Sequence, residues 1–309
     1  MTHPYITFLA AEREEGVEGL LPDTAGNPSS FIGNVHSVYR STINIADNQG
    51  IRLSLGVRSA VLGPNMVVID EDLDFTSLDA NIKPGKQVKI LGKNLILSES
   101  IRCDLSVADV ISLNIPAFVG AVKDHAARDI TDILQHYGKS GGAGQPWLLH
   151  KTGRGVLSTL HEKAFYQELV QLFNLLSSSE EDTLYEHMAS LIGMGIGLTP
   201  TADDFVTGCF SVLLAGHSGC REWVSLHGNC WLDSIKGRTT FLGYEMLRQV
   251  LAGKVNQAAL DVLHACFYPE AADLEKRVRR LLTLGSTSGT DMLAGMAFGL
   301  ETLHVWKRR

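Results

Sequence analysis

The sequence lacks several features that would assign a function directly. Glycine, serine or charged residues interrupt every apolar stretch before the roughly 18 residues that a membrane span needs. The N-terminal region has no basic segment followed by an apolar one, so no secretory signal is expected and a cytoplasmic location is predicted. No P-loop motif occurs, and the glycine-rich stretches lack Gly-x-Gly-x-x-Gly spacing after a strand. These absences argue against a membrane protein, a P-loop nucleotidase and a Rossmann enzyme.

Cysteine and positive charge are also scarce. The five cysteines are widely spaced and include no Cys-x-x-Cys pair, which predicts neither a disulfide framework nor a zinc site. The histidines are scattered without a metal-binding spacing. The chain has 27 basic and 34 acidic residues, so neither a nucleic acid nor an anionic membrane surface is expected as a partner. The dense basic run at 276–280 fits the solvated face of an amphipathic helix.

The spacing of apolar residues changes along the chain. Residues 30–100 contain short alternating or buried apolar runs, among them 51–57, 66–69 and a hairpin at 88–97, which predict strands. From about Phe118 apolar residues recur every three or four positions, which predicts helices. The predicted fold class is therefore α+β, with a β-rich domain over residues 1–117 and an α-helical domain over residues 118–309. The first domain is expected to be a small barrel or a sandwich.

A turn-to-helix motif occurs twice in the predicted helical domain. Residues 197–203 and 285–291 share the pattern Gly-x-Thr-x-x-x-Asp, and each copy leads into an apolar segment rich in small residues. Each copy places flexible backbone, a hydroxyl and a carboxylate at a helix start, where free N–H groups and the helix dipole favour an anion. We predict that the two copies lie at adjacent helix N-termini and line one cleft for a small polar ligand.

Helix capping is the alternative interpretation of this motif. Thr199 before Pro200 is typical of an N-cap, and the Thr/Ser-x-x-Asp spacing in both copies fits a capping box. Capping does not require the three glycines within residues 193–197, because glycine costs conformational entropy. The clustered glycines therefore favour a ligand site over capping alone.

Two glycine-rich segments have competing interpretations. Residues 285–289 have the form of a nucleophile elbow with threonine in place of serine, but the preceding segment is helical in pattern, whereas a hydrolase places this turn after a strand. Segment 138–146 is interpreted as a plain linker, with a mobile flap as the alternative.

Three segments of the predicted helical domain resemble a known family. They are Leu191 to Gly208, which contains Gly-Met-Gly-Ile-Gly-Leu-Thr-Pro-Thr-Ala-Asp-Asp, then Arg238-Thr239-Thr240, and then Gly285 to Gly295. In this order, over about 105 residues, they resemble the AllH-like family, formerly a domain of unknown function, typified by a subunit of oxamate carbamoyltransferase in anaerobic allantoin breakdown. The chain departs from the family's usual residues at Ile196 for Pro, Ala202 for Gly and Gly243 for Ser.

The resemblance implies transfer of a carbamoyl group between phosphate and the nitrogen of a small amide or carboxylate acid. Carbamoyl phosphate and an oxamate-like acid are the substrates that it suggests, within purine nitrogen catabolism. It also implies a complex with an FdrA-like subunit of the acyl-CoA-synthetase type and a further subunit. Two other functions stay open: a non-catalytic subunit that binds a small anion and regulates its partner, and a stand-alone hydrolase of an amide or carbamoyl compound.

Carbamoyl transfer requires a positioned nitrogen, a polarised carbonyl oxygen and a neutralised leaving phosphate. The oxygens of phosphate or carboxylate can be held by backbone N–H groups and hydroxyls, together with a guanidinium fork that is predicted to point into the cleft. Carboxylates can accept the hydrogens of a substrate amide, with Mg²⁺ binding as the second alternative and no other cofactor predicted. The predicted catalytic residues are Asp203, Asp204 and Asp291, and the predicted substrate-binding residues are Gly195, Gly197, Thr199, Arg238, Thr239, Gly285, Ser286, Ser288 and Gly289.

Overall fold

The fold has a β-rich part followed by a helical part. The chain divides into two compact units, Met1–Leu113 and Asn114–Arg309. Strands occupy the first unit and α-helices the second, so the predicted α+β fold is confirmed. The computed structural model describes residues 6–21, 32–47, 50–118, 122, 125–176, 181–268 and 273–307.

The described residues of the first unit form nine strands. In chain order they are β1 (Ile6–Glu14), β2 (Ile32–Val38), β3 (Thr42–Asp47), β4 (Gly50–Gly56), β5 (Met66–Ile69), β6 (Gln87–Leu91), β7 (Asn94–Ile96), β8 (Ile101–Asp104) and β9 (Asp109–Ile111).

Eight of these strands close into a barrel. The pairing order is β5-β4-β3-β2-β6-β7-β8-β1, β1 pairs again with β5 to complete the ring, and β9 adds to β1. Closure leaves few unpaired strand edges, and alternate side chains fill the interior, as Ile43, Ile45, Leu53 and Leu55 do without solvent exposure. Gly92, at φ 58°, makes the turn of the predicted hairpin between β6 and β7. The first unit is thus the small barrel rather than the sandwich.

The described residues of the second unit form ten α-helices, and none of them is long and apolar enough to cross a membrane. They are α1 (Ala126–Tyr137), α2 (Gly144–Thr152), α3 (Leu160–Leu176), α4 (Glu181–Leu191), α5 (Thr201–Gly216), α6 (Ser218–Ile235), α7 (Phe241–Leu251), α8 (Gln257–Phe267), α9 (Leu274–Leu281) and α10 (Ser288–Lys307).

Helices α5 and α10 form the centre of the second unit. All residues of α5 from Thr201 to Ala215 are buried. A Cβ on Gly295 would lie 1.8 Å from the carbonyl oxygen of Phe205, so only glycine lets the two backbones approach this closely. Further along, a Cβ on Gly216 would lie 2.6 Å from Leu303 Cδ1. Residues nearer the C-terminus of α5 therefore contact residues nearer the C-terminus of α10. The two helices run parallel, and both N-termini lie at the same end of the pair.

The segment 138–146 is a linker only in part. Helix α2 begins at Gly144, so Pro146 lies in a first helical turn, where proline is tolerated. Trp147 is buried and donates from Nε1 to Thr131 Oγ1 of α1 at 3.0 Å, which holds α2 against α1. The remaining residues, 138–143, make the connection and contact the first turn of α10.

Candidate functional site

The two Gly-x-Thr-x-x-x-Asp motifs meet at the shared N-terminal end of α5 and α10. The hydroxyl oxygens of Thr199 and Ser288 lie 3.0 Å apart and share a hydrogen bond. The two copies therefore lie at adjacent helix N-termini as predicted, and their lining of one ligand cleft stays a prediction. Because the helices run parallel, their positive dipole ends lie side by side, which attracts negative charge to this place.

Capping does not describe the contacts at the start of α5. The N-cap of α5 is Pro200, and no side chain caps the helix. Thr199 instead donates its hydroxyl to Asp204 Oδ2 at 3.0 Å. The carboxylates of the three predicted aspartates all accept hydrogen bonds from segments outside their own helices. Asp203 and Asp291 thereby hold separate parts of the chain together, which a helix cap does not require.

Asp203 is buried in the first turn of α5 and joins two loops. Its Oδ1 accepts from the Gly193 N–H at 2.8 Å, and its Oδ2 accepts from the Thr239 hydroxyl. Burial raises the pKa of Asp203 above its ordinary value, while the bonds from Thr239 and Gly193 act in the opposite direction. Since both oxygens have partners within the chain, Asp203 is suited to positioning the loops.

Asp204 is also buried and faces the second motif. Burial raises its pKa well above the ordinary value, and the neighbouring charge of Asp291 raises it further. The hydroxyls of Ser288 and Thr199 partly oppose these effects. Two carboxyl groups in one poorly solvated site do not readily ionise together, so this environment favours the protonated form of Asp204.

Asp291, in the first turn of α10, combines a partnered oxygen with a free one. Oδ1 accepts from the Ala143 N–H at 2.6 Å, whereas Oδ2 is buried and has no hydrogen-bond partner among the described residues. Burial raises the pKa of Asp291 to about 7, against the opposing effects of the Ala143 N–H and the hydroxyls of Thr287 and Thr201. Neither hydroxyl meets hydrogen-bonding geometry with Oδ2. A carboxyl group that titrates near neutrality is suited to proton transfer.

Glycines shape the loop that precedes α5. Gly193, Gly195 and Gly197 have φ angles of 89°, 122° and 100°, which glycine adopts without strain. A Cβ on Gly193 would lie 2.0 Å from the carbonyl oxygen of Arg238, and one on Gly195 would lie 2.5 Å from the Thr201 nitrogen. Gly193 and Gly195 therefore serve close backbone approach, whereas a Cβ on Gly197 would meet no atom within 4 Å.

Sequence reasoning missed Lys139 and the loop around it. The backbone N–H of Lys139 donates to Thr290 Oγ1 at 3.0 Å, and its ammonium donates to the carbonyl oxygen of Gly285 at 2.8 Å. A Cβ on the nearby Gly142 would lie 2.1 Å from Asp291 Oδ1, so glycine leaves room for the carboxylate. The available signal was the glycine content of 138–144, which indicates close backbone approach as readily as a linker.

Glu162 of α3 holds the other side of this loop. Oε1 accepts from the Gly141 N–H at 2.8 Å, and Oε2 accepts from the N–H groups of Ser158 and Thr159 at 2.7 and 2.9 Å. Burial raises the pKa of Glu162, but these hydrogen bonds outweigh it and hold the pKa below the ordinary value. Glu162 is therefore an ionised anchor for the loop that contacts Asp291.

Arg238 makes no hydrogen bond to the three aspartates among the described residues. Its guanidinium donates from Nη2 to the carbonyl oxygen of Ser190 at 2.8 Å, and its side chain lines a separate open cavity with Trp223 and Trp231. The adjacent Thr239 does reach Asp203 through its hydroxyl. The Arg-Thr motif thus contacts the site through its threonine, while binding of an anion by Arg238 stays a prediction.

The remaining predicted binding residues belong to the turn before α10. Ser286 is exposed, and Gly285 has a φ of 53°. Gly289 is buried, and a Cβ there would lie 2.0 Å from the carbonyl oxygen of Leu281, so packing against the end of α9 explains this glycine. In the described part of the chain no group of three or more His, Cys, Asp and Glu side chains is arranged to hold a metal ion. Binding of Mg²⁺ stays a prediction.

Comparison with known families gives two matches. Residues 18–110 match the AllH family N-terminal domain, and residues 191–300 match the family described as oxamate carbamoyltransferase subunit AllH. The second match contains both Gly-x-Thr-x-x-x-Asp motifs and all three aspartates. No solved structure matches the chain significantly. The two family matches together cover most of the chain, which belongs to the AllH family.

Proposed function

We propose that this chain is a subunit of a carbamoyltransferase complex and that it holds the small amide acid that accepts the carbamoyl group. The name of the matched family is that of a subunit of oxamate carbamoyltransferase. The observation that carries the proposal is the buried Asp291, whose Oδ2 has no partner among the described residues at the paired helix N-termini. In this proposal an N–H group of the ligand supplies the partner that this oxygen lacks.

The proposed chemistry uses Asp291 as a base. An amide nitrogen is a weak nucleophile until a neighbouring group accepts its proton. In the proposed step the amide nitrogen of the acid attacks the carbonyl carbon of carbamoyl phosphate, and Asp291 accepts the proton that the nitrogen loses. The bond between that carbon and the phosphate oxygen breaks, and phosphate leaves with the electron pair. A pKa of about 7 lets Asp291 accept the proton and release it again near neutral pH.

The other predicted residues act on position and charge in this proposal. Burial favours the protonated form of Asp204, which keeps the negative charge beside Asp291 low, and Asp203 with Thr239 holds the loops around the site. Mg²⁺ binding by the aspartates is the second alternative. The proposed donors to phosphate or carboxylate oxygens are the backbone N–H groups of Gly195, Gly197, Gly285 and Gly289 and the hydroxyls of Thr199, Ser286 and Ser288.

Assembly with other subunits is part of the proposal. Three apolar side chains beside the site are exposed, namely Ile196 (67 %), Leu198 (53 %) and Phe241 (40 %). Thr240 donates to the carbonyl oxygen of Leu198, which ties the start of α7 to the loop before α5. Adjacent exposed apolar residues are typical of surfaces that a protein partner covers. We propose an FdrA-like subunit and a further subunit as the other members of the complex, in purine nitrogen catabolism.

Reconstitution tests this function. Carbamoyl phosphate and oxamate are added to the purified chain alone, and to the chain combined with an FdrA-like subunit and the further subunit. The release of phosphate and the formation of the carbamoylated product are measured in each case. Both should appear only in the complete complex. Asp291→Asn should lower the rate about 10²- to 10⁴-fold, the usual effect of removing a general base. Asp129→Asn, at an aspartate in the first turn of α1, is the matched control and should leave the rate unchanged.

A non-catalytic subunit is the second candidate, because Asp203 has both oxygens occupied within the chain, as a purely structural carboxylate would. A complete complex that keeps full activity with Asp291→Asn would support this candidate and reject catalysis by Asp291. Phosphate release by the chain alone, without an acceptor acid, would instead indicate the stand-alone hydrolase.

A further inference from the structure

We propose that Lys139 is the cation that binds the oxyanion of the ligand, a carboxylate or a phosphate, beside the N-terminus of α10. The inference rests on the proposed function for the identity of the ligand. It adds a residue outside both Gly-x-Thr-x-x-x-Asp motifs and outside both segments that match the family.

The backbone of Lys139 is fixed against α10. Its N–H donates to the hydroxyl of Thr290, which is buried and directly precedes Asp291. Its ammonium reaches the carbonyl oxygen of Gly285 at 2.8 Å. Gly285 is itself close to Ser288, because a Cβ on Gly285 would lie 3.0 Å from Ser288 Oγ. The ammonium therefore lies at the same turn as the hydroxyls of the second motif.

The charge of Lys139 is not neutralised by the described residues. An ammonium has three N–H donors, and the Gly285 carbonyl uses one of them. No carboxylate forms an ion pair with Lys139 in the described ranges, whereas Lys151 pairs with Glu301 at 2.7 Å. A cation next to the positive end of a helix is unfavourable by itself, and an anion bound between them removes that repulsion.

The free oxygen of Asp291 is the second observation that points to a ligand. It is fully buried and has no partner among the described residues, and it belongs to the residue next to the Thr290 that anchors Lys139. A cation and an unused acceptor thus both belong to residues at the N-terminal end of α10. A small molecule with an oxyanion at one end and an N–H group at the other can satisfy both, which describes an amide acid.

Binding measurements on the full chain test the role of Lys139. Oxamate and inorganic phosphate are titrated separately, by calorimetry, into the wild type and into Lys139→Gln, Lys139→Arg and Lys276→Gln. Lys139→Gln should weaken binding of at least one probe about tenfold to hundredfold, as loss of a charge-assisted hydrogen bond does. Lys139→Arg should retain more of the affinity because it keeps the charge. Lys276 is exposed on α9, and its substitution should have no effect.

The probe that Lys139→Gln weakens identifies the oxyanion as carboxylate or phosphate. The inference is overturned if Lys139→Gln binds both probes as tightly as the wild type, or if Lys276→Gln loses as much affinity as Lys139→Gln. It is also overturned if the wild type binds neither probe. Lys139-dependent binding in a complex that transfers no carbamoyl group would reject the proposed function and leave the anion site established.

Discussion

Replacing Asp291 by asparagine should stabilise the folded chain as the pH rises, although it removes the proposed base. Burial raises the pKa of Asp291 in the folded chain from its ordinary value of 3.8 to about 7. Below 3.8 both folded and unfolded chains hold the proton, so no stability is lost. As the pH rises from 3.8 to about 7, the unfolded chain releases the proton first, and the free energy of unfolding falls. Above about 7 this loss is complete.

The size of the effect follows from the same two values. One pKa unit corresponds to about 1.4 kcal/mol, so ionising Asp291 in the folded chain costs ~4 kcal/mol at most. By pH 5 only about a third of this cost is present. An asparagine has no such cost, and its carbonyl oxygen can still accept from the Ala143 N–H. The stability advantage of Asp291→Asn over the wild type should therefore grow by ~3 kcal/mol between pH 5 and pH 8.

Urea unfolding followed by tryptophan fluorescence measures this difference. All four tryptophans, Trp147, Trp223, Trp231 and Trp306, belong to the second unit, so the signal reports on the unit that contains Asp291. Asp129→Asn, in the first turn of α1, controls for the general effect of losing an acidic residue at a helix start. A stability difference between Asp291→Asn and the wild type that stays constant from pH 5 to pH 8 would refute the argument that burial governs this carboxyl group.

Two further substitutions test the parts of the fold that build the site. Glu162→Gln should lower the free energy of unfolding by ~1–3 kcal/mol at pH 7, because an amide has one acceptor oxygen and its NH₂ group cannot accept the backbone hydrogen bonds made to the other carboxylate oxygen. Because the pKa of Glu162 is lowered in the folded chain, its carboxylate stabilises the fold above the ordinary pKa of 4.5, and this stabilisation is lost as the pH falls through the lower folded pKa. The same urea titration at pH 3 should therefore show a smaller stability difference between Glu162→Gln and the wild type. Gly295→Ala should destabilise the helical unit by ~1–3 kcal/mol or more, since its Cβ would lie 1.8 Å from the Phe205 carbonyl oxygen. Unchanged melting of Gly295→Ala would show that α5 and α10 separate without cost.

Local patterns were sufficient to predict the fold class and the meeting of the two motifs. The alternation that predicts strands and the three-to-four spacing that predicts helices both arise within a few residues of sequence. The duplicated motif carried longer-range information, because repeated helix-start chemistry serves one small ligand only if the copies converge. Thr199 and Ser288, which are 89 positions apart in sequence, share a hydrogen bond as that reasoning requires.

Contacts between distant segments could not be predicted in the same way. Lys139 lies 151 positions before Thr290, and Ala143 lies 148 positions before Asp291, so no local periodicity relates them. The direction of a long side chain could not be predicted either. The backbone of Arg238 lies against Gly193, but its guanidinium, which was predicted to enter the cleft, donates to the Ser190 carbonyl. Rotamers of such side chains depend on neighbours that sequence spacing does not specify.

The buried carboxyl group of Asp291 is difficult to explain by structure alone. Two parallel helices bring their positive ends together, and an acidic residue near that point offsets the repulsion between dipoles. A serine or asparagine cap would serve a helix start without the ~4 kcal/mol that ionisation of a buried Asp291 can cost. Asp291 reduces stability at neutral pH, and one of its oxygens has no partner among the described residues. This combination is typical of a functional site. If Asp291→Asn gains stability over the wild type with rising pH and also abolishes carbamoyl transfer in the complete complex, then Asp291 is both a destabilising buried acid and a group that the reaction needs. If it gains stability and keeps full activity, the free oxygen has no role in the reaction.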